Sequence, residues 1–125
     1  MDTKYIPGDL VIYTSLMKEP IAEICEVYET SYLIGFMRRN SARVTNNEIK
    51  PIPLTHDILK KNGWEFRRGF YFSTNKEGIL ICLISQGDGV WDAYTGGKPL
   101  LSGINSVSDL QHLLFGLKLN QEMEI

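Results

Sequence analysis

Pro51-Ile52-Pro53-Leu54-Thr55-His56-Asp57-Ile58-Leu59-Lys60-Lys61-Asn62-Gly63-Trp64 is the stretch on which the fold turns. Two prolines hold the backbone extended, Thr55 is placed to accept a hydrogen bond from the first free N–H groups of a helix, and Gly63 suits the left-handed residue that ends it. Leu54 and Leu59 flank the cap as a hydrophobic staple. A short helix over His56 to Asn62 is therefore expected. It forms a joint between two differently patterned halves.

Upstream of the joint the chain reads as short strands. Pro7-Gly8-Asp9 makes a turn before Leu10-Val11-Ile12-Tyr13, and two stronger runs follow at Ile21 to Val27 and Ser31 to Met37. In the first, Ile24 and Ala22 alternate with Glu23 and Cys25; in the second, Tyr32, Ile34 and Phe36 alternate with Leu33 and Gly35. Ala42 to Thr45 and Glu48 to Ile52 add two more. Five strands this short must curl to enclose a core, which predicts a small SH3-like β-barrel over residues 1–53.

Downstream, Trp64-Glu65-Phe66 and Phe70-Tyr71-Phe72 flank Arg67-Arg68-Gly69 as a hairpin, with its aromatics directed to the core and its turn arginines to solvent. Ile79 to Ser85 is a nearly continuous apolar run, expected as a central strand covered on both faces. Val90 to Tyr94 and Pro99 to Ile104 are further strands joined at Gly96-Gly97. A last helix over Val107 to Leu117, capped by Ser106 and with Asp109 in its first turn, presents Val107, Leu110, Leu113, Leu114 and Leu117 as one stripe. The expected class is α+β and β-rich. Residues 54–125 form a helix, an antiparallel sheet and a packed C-terminal helix, and both parts are expected to share one compact body.

With 125 residues, 43% hydrophobic and 22% charged, the chain has the makings of an ordinary globular domain. Cys25 and Cys82 lie in apolar runs and read as buried free thiols. Met1-Asp2-Thr3-Lys4 has neither a basic flank nor a following apolar region, and no run approaches the length of a membrane helix, so a cytoplasmic setting without membrane is expected.

Net charge is −2, but its distribution is uneven. Residues 38–68 hold eight basic side chains against three acids, a balance of +5, while the remainder carries −7. Arg38, Arg39, Arg43, Lys60, Lys61, Arg67 and Arg68 are the candidate binding residues, for a protein partner or for nucleic acid. Aromatic and basic residues alternate from Trp64 to Phe72, as they would on a platform that stacks bases and pairs phosphates in single-stranded RNA or DNA. The competing reading buries the aromatics in the core.

Chemistry is sparse. His56, expected to be solvated in the first turn of its helix, and His112, expected to be half-exposed, are the only histidines, too few with two strand-borne cysteines for a zinc site. Gln86-Gly87-Asp88-Gly89 lacks the ligand spacing of a calcium loop and reads as a hairpin turn. Gly96-Gly97-Lys98-Pro99 lacks the spacing of a phosphate loop, and no serine stands in a Gly-x-Ser-x-Gly elbow. No catalytic residue, metal or cofactor is expected. A hydrolase remains only a third alternative.

Several stations carry a family resemblance: Pro51-Ile52-Pro53-Leu54-Thr55, Ile58-Leu59, Lys61-Asn62-Gly63-Trp64, then Val107, Leu110-Gln111-His112 and Glu122-Met123-Glu124-Ile125. Together they resemble small proteins of no assigned activity encoded by phages, prophages and mobile elements of Bacteroidetes-type bacteria. The Arg38-Arg39 pair and the segment Gly87 to Gly97 depart from that group. The resemblance implies a setting rather than an activity. By analogy, small accessory proteins of mobile elements engage a host protein or ribonucleoprotein, for instance as inhibitors of a bacterial defence system such as a CRISPR effector. An RNA- or single-stranded-DNA-binding accessory protein using the basic middle segment is the alternative. Neither reading sets the oligomeric state.

Overall fold

The joint forms its helix as its residues dictate. In the computed structural model, which describes residues 5–14, 20–36, 40–67, 69–72, 80–119 and 122–125, helix α1 spans His56–Lys61 with Asn62 as its C-cap. Thr55 Oγ1 accepts the Ile58 N–H at 3.3 Å, Gly63 takes φ +84°, and Leu54 and Leu59 are both buried. Cap, stop and staple are all present. The chain divides here into two units, residues 1–52 and 53–125.

The first unit is a five-stranded antiparallel sheet. Its strands are β1 (Leu10–Tyr13), β2 (Ile21–Val27), β3 (Tyr32–Gly35), β4 (Ser41–Val44) and β5 (Ile49–Pro51), in the order β4-β3-β2-β1-β5. The alternation read from the sequence sets the buried face: Ala22 and Ile24 on β2 and Tyr32 and Ile34 on β3 join Tyr5, Val11, Val44 and Ile49 in one core. Tyr5 meets the Tyr32 ring edge-on at 5.6 Å. The turn before β1 is stitched onto β2, since the Gly8 N–H donates to the Ile24 carbonyl and the Ile24 N–H to the Asp9 carbonyl, each at 2.8 Å. Asp9 is fully buried and its Oδ2 accepts the Ile6 N–H at 2.9 Å.

Between β4 and β5 a 3₁₀ turn (Asn46–Glu48) begins where the Glu48 carboxylate accepts the Thr45 N–H. The Glu48 carbonyl then accepts both the N–H and the hydroxyl of Thr14, fixing the end of β1 beside the start of β5. On β2 the register slips between Ile24, opposite Ile34, and Glu26, opposite Leu33, so Cys25 is a bulge residue. Alternation already sets Cys25 on the outer face with Glu23, and the slip leaves Glu26 exposed beside it. The Cys25 thiol is exposed rather than buried as expected, while Cys82 is half-buried; both are free.

The second unit is a meander of β6 (Glu65–Arg67), β7 (Phe70–Phe72), β8 (Cys82–Gly87), β9 (Val90–Thr95) and β10 (Lys98–Ile104), ordered β10-β9-β8-β7-β6. Burial is one-sided. Tyr71, Leu83, Trp91 and Ala93 are buried whereas Cys82, Ile84, Asp92 and Tyr94 are only partly so, which corrects the expectation of a strand covered on both faces. On β10 a bulge opposite Asp92 places Gly103 at φ +73°, and Asp92 Oδ1 accepts the Gly103 N–H at 3.1 Å. A side chain thus satisfies the donor that the bulge removes from the ladder.

Helix α2 (Val107–Gly116) packs beside β10. Val107, Ser108, Leu110, Gln111 and Leu114 form its buried side, and Leu113 and Leu117 are only half-buried, so the face is rotated from the expected leucine stripe toward Ser108 and Gln111. Capping explains the polar part of that face. Ser106 Oγ accepts the Asp109 N–H at 3.1 Å and lies 3.1 Å from Ser108 Oγ, with both serines buried. His112 is half-exposed, as expected.

The chain entering α1 ties these parts together. The Leu54 N–H donates to the Asn105 carbonyl at 3.2 Å, the Trp91 indole N–H donates to the Leu54 carbonyl at 3.3 Å, and Pro53 bridges to Ser106. The tail returns to the same helix. Asn62 exchanges two 2.7 Å hydrogen bonds with the main chain of Glu124. Among the described residues no helix is long and apolar enough to cross a membrane.

The two caps differ in burial, so their removal has different consequences. Thr55→Ala loses one exposed cap and is expected to cost about 1 kcal/mol. Ser106→Ala also strips the buried Ser108 hydroxyl of its partner and is expected to cost about 2 kcal/mol or more. Urea unfolding of both variants checks the order.

Candidate functional site

Four of the seven basic candidates can be placed. Arg43 stands on β4 of the first unit, Lys60 and Lys61 in the last turn of α1, and Arg67 on β6. Arg38, Arg39 and Arg68 lie outside the described residues.

Local partners hold three of the four. The Arg43 guanidinium lies 4.2 Å above the Tyr28 ring centroid and its Nε donates to Ser31 Oγ at 3.1 Å. The Tyr28 hydroxyl in turn donates to the Glu26 carboxylate. That bond pushes the Tyr28 pKa up, burial and the Glu26 charge add to the rise, and Arg43 opposes it. The result is an exposed chain of acid, phenol, guanidinium and hydroxyl from Glu26 on β2, through Tyr28 and Ser31 between β2 and β3, to Arg43 on β4. Lys61 Nζ donates to the Ile125 main-chain oxygen at 2.6 Å. Arg67 pairs with Glu65 at 2.7 Å while both side chains stay largely exposed. Lys60 and Lys61 also sit at the helix end whose partial negative charge favours cations.

Of the alternating aromatics, Trp64 and Tyr71 are buried, as the core reading expects, whereas Phe66 is 53% exposed. Its ring lies 4.9 Å from Tyr71, its cross-strand partner. His56 is exposed in the first turn of α1, as expected, and makes contacts besides: its Nδ1 is 2.9 Å from the Tyr71 hydroxyl, and its ring stands 5.0 Å from Trp91 and 5.5 Å from Tyr71. The histidine thus stays exposed while it lies against the buried Tyr71 and Trp91 rings. Arg67, expected in the turn, instead ends β6 opposite Phe70, and that register sets Phe66 opposite Tyr71. No sequence signal brings His56 or Trp91 to it.

Chemically this cluster anchors more than it reacts. Burial pushes the Tyr71 pKa up and the Asp57 charge adds to the rise, so the phenol keeps its proton near neutrality. Burial likewise raises both thiols, with Glu23 and Glu26 adding at Cys25, which leaves little thiolate for nucleophilic work. Among the described residues no group of three His, Cys, Asp or Glu side chains is arranged to hold a metal ion. No family model, curated protein or solved structure matches the chain.

A raised Tyr71 pKa means that the folded chain holds this proton more tightly than the unfolded chain. Its contribution to stability is fully present below the ordinary tyrosine value of about 10 and is lost as pH rises through the raised value. Tyr71→Phe is therefore expected to be less stable than the parent near neutrality, because the His56 partner is gone, yet to lose less stability on going alkaline. Urea midpoints across the alkaline range test both signs. A decline as steep as the parent's would contradict the assignment.

Proposed function

We propose that this chain is a non-catalytic binding protein that recognises another protein, with an SH3-like barrel as its first unit. The barrel reading rests on the strand order β4-β3-β2-β1-β5, in which β5 returns beside β1 through a 3₁₀ turn, and on the Cys25 bulge, which bends β2 around the Tyr5–Tyr32 core. Small sheets of this kind recognise partners through exposed loops and aromatic side chains.

The observation that carries the choice of partner is where the basic side chains go. A phosphate-binding surface keeps arginines and lysines available for charge-assisted contacts. Here Arg67 is held by Glu65, Arg43 by Tyr28 and Ser31, and Lys61 by a main-chain oxygen. Exposed apolar side chains such as Ile21 and Tyr28 on the first unit and Leu101 and Phe115 on the second suit protein contact instead. The family resemblance supplies the narrower form: a mobile-element protein that acts in the host cytoplasm on a host protein or ribonucleoprotein, as an inhibitor of a defence system such as a CRISPR effector.

Affinity capture from host lysate with and without nuclease separates the partner classes. A specific partner retained after nuclease treatment is the expected result. In parallel, purified chain is titrated with labelled single-stranded RNA. Tight binding with a steep salt dependence, abolished by charge reversal at Arg38, Arg39, Arg67 and Arg68, would replace protein recognition with nucleic-acid binding.

A further inference from the structure

Sheet edges are the places where a β-protein most readily meets another chain, and among the described residues there are four edge strands: β4 and β5 in the first sheet, β6 and β10 in the second. Three of them are ill suited to pairing with themselves. β5 carries Pro51, and β10 carries Pro99 and is interrupted by bulges. β4, Ser41-Ala42-Arg43-Val44, has no acid to meet its arginine in a second copy. β6 is different. Glu65-Phe66-Arg67 has neither proline nor bulge, and it alone among the four edge strands carries both signs of charge.

We propose that β6 pairs antiparallel with β6 of a second copy of this chain, about a twofold axis at Phe66. The pattern is self-complementary. Setting Phe66 opposite its symmetry mate puts Glu65 of each copy opposite Arg67 of the other, so two oppositely charged cross-strand pairs form with no like charges facing. The main chain suits the same axis. A two-residue hairpin closes on a hydrogen-bonded pair, here Arg67 with Phe70, and the alternation of the ladder then turns the N–H and C=O of Phe66 outward, ready to exchange two hydrogen bonds with their mates.

Exposure agrees with this occupant. Phe66 is 53% exposed, Arg67 and Glu65 are 72% and 45% exposed, and nothing pairs with the outer side of β6 among the described residues. Pairing covers the two Phe66 rings against each other beside Tyr71 and extends the five-stranded sheet to ten strands. Glu65 and Arg67 pair within each strand, and in the seam each still faces an opposite charge, so the pairing leaves neither without a partner. Three residues make a short seam, and the dimer is accordingly weak and dependent on concentration.

Sedimentation velocity over a concentration series, at low and high salt, tests the pairing in the full chain. Reversible dimerisation that weakens with salt is expected. Glu65→Arg sets like charges across the seam and raises the dissociation constant about tenfold or more. Adding Arg67→Glu to the same chain restores the dimer, because each arginine again faces a glutamate. Mixing the Glu65→Arg chain with a separate Arg67→Glu chain yields a heterodimer in preference to either homodimer, which holds even if each variant is somewhat less stable. A chain that stays monomeric throughout overturns the proposal. So does a dimer indifferent to Glu65→Arg and to Phe66→Lys, or a charge swap that restores nothing.

Discussion

Leu54 commits both of its main-chain groups to residues far along the chain, and the second unit is organised around that commitment. Its N–H reaches the Asn105 carbonyl and its carbonyl receives the Trp91 indole, while its side chain is buried. Buried main-chain groups must find partners, so an extended tripeptide with two fixed bonds aligns whatever lies on either side of it. On one side is the Pro53 bridge to Ser106, the residue that caps α2; on the other is Thr55, the cap of α1. One crossing therefore sets where both helices begin. Asn62 and Lys61 then fasten residues Glu124 and Ile125 to the end of α1.

Both sheets interrupt the ladders of their short strands with a bulge. The first unit has the Cys25 bulge, where Cys25 and Glu26 are both exposed. The second uses the Gly103 bulge and supplies Asp92 to its freed N–H. Polar side chains recruited in this way are not available for a site. The same holds for most of the placed basic residues, which have local partners: Arg67 the Glu65 carboxylate, Arg43 a ring and a hydroxyl, Lys61 a main-chain oxygen. A formal charge excess along the sequence is thus a poor guide to the field at the surface, since exposed pairs two residues apart on a strand largely cancel.

The parts of the fold legible in the sequence were those with local causes. The Thr55 cap, the Leu54–Leu59 staple, the stop at Gly63 and the alternation of β2 and β3 each follow from residues within one turn or one pleat of each other. What escaped the sequence depends on distant partners. Ser108 and Gln111 are buried on α2, in Ser108's case beside the capping serine, which no hydrophobic period reveals. Cys25, by contrast, is exposed because alternation sets it on the outer face with Glu23, which reading its run as simply apolar overlooks. His56 is exposed as expected, but its contact with Trp91 depends on where the joint meets β9. The Glu65–Arg67 pair, in contrast, was within reach, because residues two apart on a strand share a face.

Native-state hydrogen exchange tests the organising role of Leu54 most directly. If the crossing holds the second unit together, the Leu54 amide and the Trp91 indole proton exchange only through the same opening that exposes the Leu110 and Leu114 amides of α2, with equal free energies and equal sensitivity to denaturant. A Leu54 amide that exchanges at open-chain rates while the α2 amides remain protected would show that the helices are placed without it.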